Sequence, residues 1–290
     1  MTCITCFYQR GAESYIDLAE RISFLYKAHN HLQSYMDPSQ WGSVSRPLPQ
    51  GPKSGQRERS NESNTDSGVL IQTEEQVGKH LKTISIQIEV TKFLHHCLKN
   101  TDSNAAAIAT KYIANSKSST LPTMFGTNKT RTDLVNMILL SGNDIPPAFE
   151  LGLRIIKECN LGGQVIYTHT AREMAKHQRY DHIRQLLDCL VKVGMGEDDM
   201  IDEMIGACIL VVADNPNEAK EAENLIKLLR KDSHKINAYI LCGKLRSAYL
   251  MAVKAERVED VQRIAGAAQR MGQTAVKNIC NKWLEQKKNT

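Results

Sequence analysis

Prolines crowd the first half of this chain and nearly vanish from the second. Pro38, Pro47, Pro49 and Pro52 share one short stretch, and after Pro147 only Pro216 remains. A proline inside a helix costs about 3 kcal/mol, because it lacks an N–H and its ring clashes with the preceding turn. Almost everything after residue 147 is therefore free to be helical. The stretch from Ala238 to Val253 makes the same point locally. Ala238, Leu241, Leu245, Ala248, Tyr249, Ala252 and Val253 recur at three- and four-residue spacing, which is the helical period. Two Ala-Tyr steps, Ala238-Tyr239 and Ala248-Tyr249, flank a Gly243-Lys244 break. Small residues beside aromatic rings let two helices approach closely. Tyr249 is expected to be buried and Lys244 exposed.

The rest of the chain divides by periodicity. Ser14 to Met36 reads as one helix, with Tyr15, Leu18, Ile22, Leu25, Leu32 and Met36 on its apolar face. Residues 37–72 lose that period and fill with Pro, Gly, Ser, Asn and alternating charge. Such a stretch buries too little apolar surface to offset chain entropy, so a disordered linker is predicted there. Thr73 with Gln76 gives a capping-box start to a second helix running to about Lys99. Its seam is Leu81, Ile84, Ile88, Thr91 and Leu94 or His95. These two helices (1–36 and 73–100) suggest a hairpin, followed by a connecting segment over 101–129. Asn104 to Asn115 is alanine-rich and compatible with a helix.

From residue 130 to 290 the period predicts ten short helices, near 130–140, 146–158, 161–176, 179–193, 197–213, 217–231, 235–242, 244–256, 258–271 and 273–286. Asn143-Asp144 before Pro146-Pro147 reads as a cap followed by helix-start prolines, and Asn215-Pro216-Asn217 repeats that chemistry. Gly162-Gly163, Gly194, Gly196 and Gly272 punctuate turns. VIYTHTA at 165–171 is strand-prone alone, but its neighbours carry the helical period. Helix pairs of about 35 to 40 residues are the unit of tetratricopeptide-like solenoids. The predicted fold is all-α: an N-terminal helical hairpin, then a tetratricopeptide-like α-solenoid of stacked helix pairs.

Composition narrows the function classes. A net charge of +5 over 290 residues is mild and demands no polyanionic partner. Arg230-Lys231, Lys244 with Arg246, and Lys287-Lys288 are small and dispersed, so no nucleic-acid partner is expected. The N-terminus lacks the apolar core and cleavage site of a secretory signal. No window offers the roughly 20 apolar residues of a membrane span, so no direct membrane insertion is expected. The eight cysteines are scattered, and Cys159, Cys189, Cys208, Cys242 and Cys280 fall inside helical apolar patterns. A reducing, cytoplasmic compartment and no disulfide framework follow.

The chemistry-bearing motifs are few. Cys3 and Cys6 form one CxxC, half of a zinc site with no second pair to join. A frayed first helical turn is the better reading. The nine histidines include His29, His31, His80, His169, His177, His182 and His234, spread over separate helices. Glu197-Asp198-Asp199 and Asp202-Glu203 read as an acidic helix start favoured by the dipole. There is no phosphate-binding glycine loop and no nucleophile elbow. The expected sets of catalytic, cofactor-binding and metal residues are empty. No cofactor is expected, the chain reads as a non-enzyme, and its partner-binding residues are not assigned.

Several collinear blocks carry a resemblance. They are TCFYQRGAESYIDLAERISFLYKAHNHLQSY at 5–35, QIEVTKFLHHC at 87–97, LPTMFGTNKTRTDLVNMILLSGNDIPPAFELGLRIIKECNL at 121–161, LCGKLRSAYLMAVKAE at 241–256 and AVKNICNKWL at 275–284. Together they resemble the C-terminal part of the spastizin family, large FYVE-zinc-finger proteins linked to hereditary spastic paraplegia. The resemblance covers most of the chain but only the last part of a far longer protein. It implies a protein-interaction scaffold acting at endosomes, lysosomes, autophagic membranes and the midbody in cytokinetic abscission. Implied partners are spatacsin and the fifth adaptor-protein complex, with the autophagy regulator beclin also linked. That family reads phosphatidylinositol 3-phosphate through its FYVE finger. His95-His96-Cys97 echoes the finger's core, but Leu94 and Leu98 replace its cations and no ladder of cysteine pairs follows. The finger is absent here, so this chain alone is not expected to bind phosphoinositide. A generic tetratricopeptide-type peptide receptor is the alternative function. Its sign would be a groove with inward basic side chains that clamp a peptide carboxylate.

Overall fold

Where apolar residues keep the 3.6-residue period, the chain forms helices, and short turns separate them. The computed structural model describes residues 18–36, 74–99, 122–213 and 215–288. They hold twelve α-helices and no strand. These are α1 (Leu18–Met36), α2 (Glu74–Lys99), α3 (Asn128–Ser141), α4 (Ile145–Cys159), α5 (Gly163–Lys176) and α6 (Tyr180–Lys192). Then come α7 (Asp198–Val212), α8 (Ala219–Leu228), α9 (Asp232–Leu241), α10 (Leu245–Lys254), α11 (Val258–Arg270) and α12 (Thr274–Lys288). The strand-prone 165–171 lies inside α5. The expected linker at 37–72, the CxxC at Cys3 and Cys6, the Thr73 cap and the alanine-rich 104–115 lie outside the described residues.

The chain divides into two compact units, with the change between Arg131 and Thr132 inside α3. In the first, Leu25, Ala28 and Leu32 of α1 share a buried cluster with Val77, Ile84 and Ile88 of α2. Leu94 is buried and His95 half-buried, so leucine takes the end of the α2 seam. Gln87 is buried with its amide satisfied. Its Oε1 accepts the Met124 N–H at 2.7 Å, and its Nε2 donates to Thr91 Oγ1 at 3.1 Å. Residues 122–127 are thereby tied to α2.

The second unit is a stack of helix pairs. α5 packs on α7, α7 on α9 and α9 on α11. α5 also packs on α6, α7 on α8, α9 on α10 and α11 on α12. Each pair thus leans on the next, the arrangement of an α-solenoid. Its last core joins Ile236, Leu245, Ala248, Ala252, Val261, Ile264, Ala267, Ala268 and Cys280. Three expectations for this region need correction. Leu241 is 45% exposed, because α9 ends there and the chain turns away. Tyr249 is half-buried, packed against the core from its edge. Lys244 is half-buried and pairs with Glu223 at 2.5 Å, so it links α8 to the start of α10.

Among the described residues one turn geometry recurs six times. Asn160, Gln178, Gly194, Gly243, Glu256 and Gly272 all have positive φ, from 49° to 74°. The N–H of the following residue reaches back five residues to a helical carbonyl. Leu161 bonds Ile156, Arg179 bonds Met174, Met195 bonds Leu190, Lys244 bonds Tyr239, Arg257 bonds Ala252 and Gln273 bonds Ala268, each at 2.9 Å. This is the Schellman closure, which satisfies carbonyls orphaned at a helix end. Glycine adopts the left-handed conformation without cost, whereas a residue with a Cβ is strained there by about 1–2 kcal/mol. Glu256→Gly should therefore stabilise the chain by up to about 0.5 kcal/mol, net of its exposed ion pair with Lys287, and Gly243→Ala should destabilise it by about 1 kcal/mol. Urea unfolding of both variants checks the pair; equal midpoints would refute the strain.

Of the two proline-marked helix starts, the first departs from the sequence reading and the second carries the cap it expects. Asp144 sits at the N-cap of α4 but makes no side-chain cap bond. Gln185 of α6 supplies it instead, its Oε1 accepting the Ile145 N–H at 3.1 Å. Around Pro216 a 3-10 turn, Pro216–Glu218, precedes α8. Asn215 Oδ1 accepts the Asn217 N–H at 3.1 Å and so starts that turn. α8 then ends at Leu228 and α9 begins at Asp232, several residues earlier than the spacing suggests.

Candidate interaction surface

What holds neighbouring repeats in register is a set of polar clasps. Asp202 is the most connected. It lies on α7 and is only 2% exposed. Its Oδ1 accepts the Arg230 N–H at 2.6 Å, and its Oδ2 accepts the Lys231 N–H at 3.0 Å and faces His234 Nδ1 at 2.8 Å. Lys231 is the N-cap position of α9. Asp202 is thus the N-terminal cap of a helix that starts 30 residues later. The sequence reading placed it among acids starting its own helix; Asp198 and Asp199 fill that role in the first turn of α7. Asp199 is also engaged across the gap, by Lys231 Nζ.

A second clasp closes the α3–α4 turn. Arg179 is 6% exposed and donates Nη1 to the Leu140 carbonyl at 2.6 Å and Nη2 to the Gly142 carbonyl at 2.7 Å. Burial lowers this guanidinium to about 10. His182 Nε2 meets the Asn143 carbonyl at 2.9 Å. Burial, and then the neighbouring Arg179 charge, hold this imidazole below its ordinary value. In the last repeats, Asp260 is buried between Arg257 and Arg263, and Arg263 also bonds Asn237 of α9 at 2.6 Å. Gln273 Nε2 donates to the Gly243 carbonyl at 3.1 Å.

The α9–α11 side carries a cleft of about 490 Å³, lined by Ile240, Glu259, Gln262, Arg263, Gly266 and Arg270. Glu259, Arg263, Gly266 and Arg270 follow one stripe of α11. Sequence reasoning singled out none of these residues. The basic pairs it did single out are engaged in part: Lys231 with Asp199, Lys244 with Glu223, and Lys287 with Glu256 at 3.1 Å.

The remaining candidates stay apart. His95 is half-buried, His96 exposed and Cys97 buried, all on α2. Among the described residues no three His, Cys, Asp or Glu side chains gather as a metal site would require. Among the strongly shifted groups Arg179 and Tyr180 adjoin at the start of α6, whereas Tyr167 and Cys208 sit on α5 and α7. Burial pushes the Tyr167 phenol of α5 up to about 12, and its ring lies 5.6 Å from that of Phe149. Burial likewise pushes the Cys208 thiol of α7 up to about 12. Cys97, Cys189 and Cys280 are buried too, whereas Cys159 and Cys242 are half-exposed. Thiolate, not thiol, is the reactive form. Among these six thiols, Cys159 and Cys242 should take a maleimide in the folded chain, and Cys208 only after unfolding. Peptide mapping by mass spectrometry checks that order, and early labelling of Cys208 would contradict its burial.

Known proteins can be set beside this geometry. Residues 163–285 match the ZFYVE26-like TPR repeats, which covers α5 through most of α12. The similarity extends beyond the repeats. Zinc finger FYVE domain-containing protein 26 of Rattus norvegicus is 32% identical over 98% of this chain, and that of Homo sapiens is 31% identical over 98%. A Dictyostelium discoideum protein is 26% identical over 75% of the chain. The chain spans only about a tenth of the mammalian relatives' length (10%). No solved structure matches it. The resemblance to the spastizin family, read from the five blocks, therefore holds across nearly the whole sequence, and the repeats support protein–protein interaction. No helix among the described residues is long and apolar enough to cross a membrane.

Proposed function

We propose that this chain is a non-enzymatic scaffold whose stacked helix pairs present a surface to protein partners. The observation that carries the reading is the match of residues 163–285 to ZFYVE26-like TPR repeats. The helices there are held by clasps that use up polar groups rather than gather them. By resemblance to the spastizin family, the partners are spatacsin and the fifth adaptor-protein complex, with beclin as a further one. The setting is then the periphery of endosomes and lysosomes in autophagy, and the midbody in abscission. The test is capture of purified spatacsin or purified fifth adaptor-protein complex by the immobilised chain. Loss of both captures with a folded chain sinks the reading.

Phosphoinositide recognition belongs to the FYVE finger of the parent family, not to these residues. His95 and His96 lie on a helix beside the buried Leu94, and the nearby cations Lys92 and Lys99 are exposed single charges on that helix, Lys92 lying over the Tyr26 ring. Vesicles containing phosphatidylinositol 3-phosphate should float no more of this chain than vesicles without it. Lipid-dependent flotation abolished by His96→Ala would overturn that assignment. The second reading, a generic tetratricopeptide-type peptide receptor, is favoured by the α9–α11 cleft.

A further inference from the structure

The cleft between α9 and α11 has two charges that no other described residue pairs. Arg263 is held by Asp260 and Asn237. Glu259 and Arg270, in the same lining, have no ion pair among the described residues. The helix dipole favours an acid at the start of α11 and a base at its end. Arg270 leans back over the preceding turn, as long side chains on a helix ordinarily do. Its Nη1 would lie 3.7 Å from a Cβ placed on Gly266.

Gly266 is itself unexplained by internal packing. A Cβ there would meet only that guanidinium at an ordinary contact distance. Glycine inside a helix is unfavourable relative to alanine, and no packing contact among the described residues requires it at this position. A bare helix surface between an acid and a base lets another backbone approach closely.

We propose that this cleft binds an extended peptide segment with an acidic residue against Arg270 and a basic residue against Glu259. The proposal rests on the scaffold reading and gives it a partner chemistry. From Glu259 to the Gly266 level is seven residues, or about 10 Å of helix axis. A polyproline-type segment covers that in about three residues and a strand in about three to four. The two charges of the partner therefore lie three or four positions apart, in one fixed order along its chain. Ile240 at the wall offers an apolar contact between them.

The experiment pans a displayed library of random heptapeptides against the full chain. Enriched peptides should share one acidic and one basic residue three or four positions apart, always in the same order. Arg270→Glu should weaken them at least tenfold. Glu259→Arg combined with Arg270→Glu should enrich peptides with the order reversed. Gly266→Leu should abolish binding while leaving the melting temperature equal or higher, which separates blockage from unfolding. Enriched peptides without the charge pair, or insensitive to Gly266→Leu, overturn the cleft assignment. So does a selection that enriches nothing. The scaffold reading falls separately, when the folded chain captures neither purified protein partner, whatever the selection yields.

Discussion

Asp202→Ala is expected to lower the stability of the repeat region by about 3–4 kcal/mol. The variant leaves the Arg230 and Lys231 N–H groups and His234 without their shared acceptor. Loss of a helix cap costs about 1 kcal/mol, and hydrogen bonds to a charged group contribute about 1.5–3 kcal/mol each, without full additivity. For a chain of this size that corresponds to a fall in melting temperature of roughly 6–16 °C. Asp202→Asn keeps one acceptor oxygen and should recover part of the loss. Asp198→Ala, at an exposed position in the same helix, should change stability by less than about 0.5 kcal/mol. Thermal unfolding followed by circular dichroism compares all three. If Asp202→Ala melts like Asp198→Ala, the cap between α7 and α9 does not hold the repeats.

Arg179→Ala should have the next largest effect, about 3 kcal/mol. It strands the carbonyls of Leu140 and Gly142, and a buried acceptor without a donor costs about 1–3 kcal/mol. Lysine should rescue little, because a single ammonium does not reproduce the planar fork that reaches both carbonyls. A second readout separates this clasp from general loosening. Burial and the Arg179 charge both hold His182 below its ordinary value. Removing the charge should raise the His182 pKa, seen by NMR titration of the imidazole. An unchanged His182 in a destabilised variant would mean that the two groups are not coupled as described.

The helices were legible because burial leaves a periodic trace. Leu245, Ala248 and Ala252 repeat at helical spacing and are fully buried. Gly194, Gly243 and Gly272 marked turns correctly, since glycine is the cheapest residue at positive φ. The same turn at Gln178 and Glu256 left no mark, because neither residue type signals it. Asp202 was misread for a different reason. Its partners lie 28 to 32 residues away, and no local pattern encodes which acid will meet which helix start. The cleft was invisible on similar grounds. Gly266 lies in the run Ala265-Gly266-Ala267-Ala268, where it reads as one more small residue. Only the fold separates the two buried alanines from the open glycine.

The clasps also impose an order on synthesis. Asp202 precedes the helix it caps, so α9 leaves the ribosome with its N-terminal acceptor already made. Arg179, His182 and Gln185 follow the turn they close by 37 to 40 residues. At ribosomal rates of about 5–20 residues per second, the α3–α4 corner waits about 2–8 s for its donors. During that interval the carbonyls of Leu140, Gly142 and Asn143 have only water to bond. A nascent chain therefore keeps this corner open to chaperones or proteases until α6 has emerged, and the Gly243 carbonyl waits in the same way for Gln273.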